Sequence, residues 1–352
     1  MELDTHLLRV VLLGQSLAFA AFLAALFGHA VWLRVHHGRA EPRMERGRAS
    51  LYRAASEGRV TAEDVALLRS MSPRLQVRLF VELASSLGGS HREAFAELAR
   101  EVGLTPLAVA LCRRRQWWHR VRGVRLLAAI GGGEDTVPAL FADPHPAVRA
   151  EAVEWAAEHA TPAIVQRLVD LLAAPRDESR FALLDSLLRI GAPVVEPLAR
   201  YLETHGGERA EPALAVAAGL PDSRLVPAAL RLCGDALPAV RCAAALLLGS
   251  LGGAGAVETL QGLLEDGDAT VRAAAVEALA RLSHWPAAPA LARLLRDPAW
   301  RVRREAGLGL RTLGSPGELL LRRSLNDGDR FAAEMARQVL DLPSAPVERG
   351  VR

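Results

Sequence analysis

The 352-residue chain is 51% hydrophobic but only 5% aromatic, and Ala and Leu carry most of the apolar load. Both residues lose little side-chain freedom in a helix, and few segments show the β-branched alternation of strands, which excludes a sheet-rich fold. All 43 basic residues are Arg, yet 40 acids are interspersed and the net charge is only +3, so no global positive field exists to draw in nucleic acid.

Residues 1–9 are read as a short extracytoplasmic N-terminus. Residues 10–33, VVLLGQSLAFAAFLAALFGHAVWL, contain no Asp, Glu or Arg. As a helix this stretch spans roughly 36 Å, enough for a hydrocarbon core of about 30 Å with some tilt. One Arg precedes it, whereas Arg34, Arg39, Arg43, Arg46, Arg48 and Arg53 follow. Positive residues stay on the cytoplasmic side. A single-pass anchor in the cell (inner or plasma) membrane is therefore expected, with the N-terminus outside and the rest in the cytoplasm. Residues 34–48 then form a basic juxtamembrane linker, and the basic stretch Arg34–Arg53 is able to grip anionic headgroups.

Residues 49–115 read as a divergent helical cap. Helix starts are expected at Thr61, where Asp64 completes a capping box, and at Ser72-Pro73 and Thr105-Pro106. The stretch ends in the densest basic-aromatic run of the chain: Arg113, Arg114, Arg115, Trp117, Trp118, His119 and Arg120. From 116 to 342 the sequence repeats. Anchored on Arg120, Arg149, Arg180, Arg209, Arg241, Arg272 and Arg303, the steps are 29, 31, 29, 32, 31 and 31 residues. Apolar residues recur mostly three, seven and ten positions on, one face of a helix. A weaker eighth copy starts at Arg330, with Ala333 and Leu340. Each unit continues into a second amphipathic helix; Thr161-Pro162 and Ser315-Pro316 read as an N-cap followed by Pro at the first helical position. Such a pair of helices buries its apolar face only by stacking on its neighbours. Residues 343–352 are read as a disordered tail.

Four copies carry Asp-x4-Val-Arg: Asp143/Val148/Arg149, Asp235/Val240/Arg241, Asp266/Val271/Arg272 and Asp297/Val302/Arg303. This arrangement resembles the short HEAT-like repeats of the phycobilisome-lyase type, over roughly residues 113–340. The resemblance implies an all-α fold, a right-handed α-α superhelix or HEAT-like solenoid, here preceded by one transmembrane helix. It also implies that these Asp and Arg residues form a structural ladder between turns. The copies at Arg180 and Arg209 depart most: neither has Val before the Arg or Asp six residues earlier, and Pro212 falls early in its helix.

No metal-ligand spacing, nucleophile elbow, phosphate loop or dinucleotide fingerprint is present. The paired His-Glu dipeptides of HEAT-type deoxyhypusine hydroxylases are missing too. Gly131 to Gly133 read as a helix-ending turn. Cys112, Cys233 and Cys242 form no CxxC pair and are expected as buried, reduced thiols. No catalytic, cofactor-binding or metal-binding residue is expected, and no enzyme activity. Interface chemistry favours Trp and Arg, which makes Arg113, Arg114, Arg115, Trp117 and Trp118 the first candidate contact surface, and Arg296, Trp300 and Arg301 the second. The bland alternative for the first is a helix junction with one Trp buried. The expected function is a membrane-anchored scaffold presenting a solenoid to another protein, for example a membrane enzyme such as a glycosyltransferase. Two alternatives are a lyase-like enzyme or chaperone, implied by the resemblance, and a nucleic-acid-binding HEAT protein.

Overall fold

The structure, a computed structural model, describes residues 19, 21–28, 42–54, 56–84, 91–173 and 180–343. Among the described residues every regular element is an α- or 3₁₀-helix. The chain divides into two compact units, residues 1–151 and 152–352. Of the anchor expected over 10–33, only Phe19 and the helical residues 21–28 are described. Among the described residues no helix is long and apolar enough to cross a membrane.

The first unit contains α1 (residues 42–54), α2 (Ala62–Arg69), α3 (Pro73–Ala84), α4 (His91–Val102), α5 (Leu104–Cys112), α6 (Trp117–Ile130) and the start of α7 (Pro146–Glu158). Residues 42–48, expected as the end of a linker, belong to α1. Their packing explains it: Met44 is buried, and a Cβ at Gly47 would lie 2.7 Å from the side chains of Leu79 and Met71. The capping box at Thr61 forms as expected, its hydroxyl accepting from the Asp64 N–H while Asp64 accepts from the Thr61 N–H. Burial pushes the Asp64 carboxyl up, but hydrogen bonds from Ser50 (2.6 Å) and Thr61 outweigh it and hold the group below its ordinary value. Leu79, Phe80, Phe95, Leu98, Leu104, Leu126 and Leu127 form the core, with the Phe80 and Phe95 rings 4.8 Å apart. Helices α5 and α6 cross at Gly123, where a Cβ would stand 2.7 Å from the Cys112 N and Sγ.

The second unit stacks two rows. One row is α9 (Arg180–Ile190), α11 (Ala210–Gly219), α13 (Pro238–Leu251), α15 (Ala269–Arg281), α17 (Trp300–Thr312) and α19 (Arg330–Asp341), each packed on the next. The other is α8 (Pro162–Asp170), α10 (Val195–Thr204), α12 (Val226–Leu232), α14 (Ala256–Leu263), α16 (Ala288–Arg293) and α18 (Ser315–Ser324). The first row buries two of the three expected stripe positions: Ala244 and Leu248, Ala275 and Leu279, Ala306 and Leu310 are fully enclosed, as are Val240, Val271 and Val302, whereas Leu251, Leu282 and Leu313 at the third position are only half-buried. Small residues let backbones approach closely. Thr161 caps α8 as expected, accepting from the Ile164 N–H. Ser315, expected as an N-cap, is instead the first residue of α18. The carbonyl of Gly314 accepts from the Glu318 N–H, so Gly314 takes the cap position.

Repeat register follows a simple rule. Arg120, Arg149, Arg241, Arg272 and Arg303 each stand three residues after the first residue of their helix. In α11 that position is Ala213, and Arg209 sits in the preceding 3₁₀ turn, Gly207–Arg209. The last copy also needs correcting: Arg330 opens α19 as Trp300 opens α17, and the anchoring position holds Ala333.

Candidate functional site

The ladder is built from one guanidinium per rung. Arg241 donates from Nη1 to the carbonyls of Asp235 (2.9 Å) and Ala236 (3.1 Å) in its own turn, and from Nε and Nη2 to both oxygens of Asp266 in the next turn (2.8 and 2.9 Å). Arg272 repeats this with the carbonyls of Asp266 and Gly267 and the carboxylate of Asp297. Each of these carboxylates also accepts the N–H two residues on, at Asp268 and Ala299. In the first unit Arg120 bridges the carbonyls of Arg114 and Arg115 to Asp143, and Arg149 binds the carbonyls of Asp143 and Pro144. The carboxyls of Asp266 and Asp297 lie below their ordinary value: for Asp266 the Arg241 hydrogen bond dominates, while for Asp297 burial pushes up most, and the Arg272 and Ala299 hydrogen bonds with the nearby guanidinium charges together outweigh it.

The pattern breaks where the register breaks. Asp235 accepts from the Gly207 N–H (2.9 Å) in place of an arginine. At the far end Asp327 is taken by Arg296 (2.7 Å), so Arg303 keeps only the carbonyls of Asp297 and Pro298. Its Nε is buried without a partner among the described residues, and its guanidinium lies 4.9 Å from the Phe331 ring centre.

In the first candidate surface, Arg113, Arg114 and Arg115 are exposed on the turn before α6. Neither neighbouring Trp is buried: Trp117 is 40% exposed and Trp118 47%. Trp117 stacks flat on His145 at 4.1 Å and meets Trp118 edge-on at 6.0 Å. A junction with one buried Trp is thereby excluded. In the second surface Trp300 is 59% exposed and Phe331 51%, with Arg304 lying 6.0 Å from the Trp300 ring centre. Arg301 is exposed there; Arg296 is engaged by Asp327.

Sequence reading missed a groove of about 520 Å³ in the first unit, beside the Arg113–Trp118 run. Three helical stripes line it: Pro73, Arg74, Leu75, Val77, Arg78, Val81 and Glu82 from α3, Leu107 and Leu111 from α5, and His119, Arg122 and Arg125 from α6. Glu82 is neutralised twice, by Arg78 (2.6 Å) and Arg48 (2.9 Å), and these bonds hold its carboxyl below the usual range. Arg125 pairs with Glu151 at 2.8 Å. Arg74 and Arg122 are exposed and have no ion-pair or hydrogen-bond partner among the described residues. The Nδ1 of His119 is buried and likewise unpartnered.

A family model described as HEAT repeats matches residues 133–215, 207–280 and 257–341, more than half of the chain in all. The chain belongs to the HEAT-repeat family. The match is to HEAT repeats in general and does not single out the phycobilisome-lyase type. Among solved structures, the HEAT array is similar to Kap121p at 14% identity and a TM-score of 0.52, over 86% of this chain and 43% of that one. Kap121p bound to Nup53p matches at 13% and 0.50, over 80% and 41%. An engineered protein matches at 20% and 0.39, over 86% and 95%. At these identities the likeness is one of fold, and the chain spans less than half the length of Kap121p. No curated protein matches it.

Among the described residues of this HEAT protein, no group of three or more His, Cys, Asp or Glu could hold a metal ion. The three cysteines are free. Burial pushes the Cys112 thiol up to about 11 and that of Cys233 to about 12, and raises that of Cys242.

Proposed function

We propose that this HEAT protein is a membrane-anchored interaction scaffold whose helical repeats hold a protein partner on the cytoplasmic side. The observation that carries this reading is the exposed Trp chemistry of the first unit beside exposed Arg side chains that have no ion-pair partner among the described residues. Large aromatics left 40% or more exposed beside guanidiniums are the groups that dominate protein interfaces. Kap121p, solved bound to Nup53p, is a similar array with a protein partner. The uncharged sequence of residues 10–33 supports the anchor, as do the exposed Phe19, Phe22, Leu23, Leu26 and Phe27 on its described helical part. Anchoring raises the local concentration of the array beside a membrane partner without a new contact. A membrane enzyme such as a glycosyltransferase is one partner that such placement suits.

The test is crosslinking in intact cells, followed by detergent extraction and affinity purification of the full chain. A partner should be recovered in a fixed ratio, and replacing Trp117 and Trp118 with Ala should weaken its recovery. Repeated recovery of the chain alone would count decisively against the scaffold.

A further inference from the structure

We infer that the α3–α5–α6 groove is the receptor for an acidic amphipathic segment of the partner, one whose apolar side chains fill the groove while its carboxylates engage Arg74 and Arg122. The inference rests on the scaffold reading and names the chemistry its partner presents.

The floor is apolar and unfinished: Leu75, Val81, Leu107 and Leu111 are only half-buried although each faces the groove. Spacing puts them there, since 107 and 111 are one helical turn apart on α5, while 74, 78 and 81 share a face of α3. The rim is cationic. Among the described residues four guanidiniums line the groove against one carboxylate, and that carboxylate, Glu82, is already bound by two arginines. Arg125 is answered by Glu151. This leaves Arg74 on α3 and Arg122 on α6 as forked donors on two different walls, without a partner among the described residues. A carboxylate is the planar acceptor such a fork matches.

The occupant is a peptide rather than a lipid because the free cations stand on separate walls. A lipid brings its negative charge at one end only, whereas an amphipathic segment carries carboxylates along both flanks of an apolar stripe. A volume of about 520 Å³ lies within the range of preformed ligand sites and suits a few aliphatic side chains. The 12-residue α3 offers a wall roughly 18 Å long for them to follow.

The experiment pans a random peptide library, displayed on phage, against the full chain in detergent. Enriched peptides are synthesised with a fluorophore and titrated by anisotropy against wild type and the double variant Arg74→Glu/Arg122→Glu. Both positions are exposed and have no partner among the described residues, so the variant keeps the core, and circular dichroism checks it. The expected result is an enriched pattern of apolar residues flanked by Asp or Glu, with affinity falling about tenfold or more in the double variant. Changing the peptide's acids to Lys should restore binding to the reversed groove. Enriched peptides that lack acids, or that bind the double variant as tightly, overturn the proposal, as does a failure to enrich any peptide. Displacement of the peptide by dihexanoylphosphatidylglycerol at lower concentration than by unlabelled peptide would assign the groove to lipid and overturn it too. Should the double variant still co-purify with its crosslinked partner undiminished, the groove assignment falls while the scaffold reading stands. If wild type captures no partner, the scaffold reading itself falls.

Discussion

Arg272 makes four hydrogen bonds with one side chain, two to carbonyls of its own turn and two to the Asp297 carboxylate, and the pair is only 13% and 5% exposed. Solvent does not screen such a pair as it screens surface ion pairs. Removing one partner leaves a largely buried charge without its ion pair, so Asp297→Ala should cost about 3–5 kcal/mol. Arg272→Lys should also destabilise, since an ammonium cannot reproduce the fork. Hydrogen exchange should show the loss first in α17 to α19, because coupling in repeat arrays is to nearest neighbours. A uniform rise across both units would contradict this. The same rungs set an acid limit. Asp266 and Asp297 have carboxyls depressed in the folded state, so the stability they add is complete above the unfolded value of about 3.9 and disappears as pH falls through the folded one. Urea midpoints should therefore hold from neutrality down to about pH 5 and drop below about pH 4. The drop should be smaller in Asp266→Asn/Asp297→Asn. At Cys112 and Cys233, thiols raised to about 11 and 12 leave at most about one thiolate in a thousand at pH 8. Native protein should react with a disulfide reagent at these sites far more slowly than unfolded protein, and equal rates would place the thiols at the surface. The recurrence of Asp-x4-Val-Arg was legible in the sequence, and a ladder was what its resemblance to HEAT-like repeats implied. The ladder's broken ends were not legible. Which arginine wins Asp327 depends on where α19 begins, and Arg330 looked like an anchor only because it is an Arg at about the right distance.

Among the elements, the closest approaches are made where a side chain has no room. At Gly317 in α18 a Cβ would run into the Leu310 carbonyl oxygen, and at Gly249 in α13 it would fall 2.6 Å from the Cα of Ala278. Both obstacles are backbone, so neither can swing aside. Gly317→Val should push α18 off α17 and cost about 3 kcal/mol or more, a cost in the range of severe overpacking. Gly249→Ala should cost less, about 1–3 kcal/mol, because α13 and α15 can slide a little. Thermal melts of the two variants beside Gly262→Ala, whose Cβ would meet nothing within 4 Å, give the comparison. If all three behave alike, steric approach is not what these glycines provide. Helices and their pairing could be read ahead because the apolar stripe has one period throughout the clear repeats. These crossings could not, since a glycine needed for contact looks the same in sequence as one that ends a helix, such as Gly131 with its φ of 81°.

At the scale of the whole molecule, the part of the chain without a period was the part that hid its site. Residues 49–115 carry no fixed step, so nothing in the sequence brought Arg74, Leu107 and Arg122 together, and the arginine-tryptophan run beside them was the only visible marker of the groove. The opposite holds for the first forty residues, where sequence alone makes a sharp physical claim. A helix over 24 uncharged residues would reach across the hydrocarbon layer, and transferring that much Leu, Val, Phe and Ala from water to lipid outweighs any cost of ordering it. Full-length protein should therefore sediment with membranes and stay there through alkaline carbonate, which strips proteins held by charge. Deletion of residues 1–41 should release the chain to the supernatant with its helical circular dichroism unchanged, because the first described helix packed in the core, α1, begins at residue 42. Orientation gives a second, independent readout: with one Arg before the segment and six soon after it, a tag at residue 1 should be cleaved by protease added outside spheroplasts, while a tag after residue 352 should be protected. Carbonate extraction of the intact chain would show that the basic residues 34–53 hold it to lipid headgroups by charge alone, and a scaffold so held would leave the membrane as salt rises.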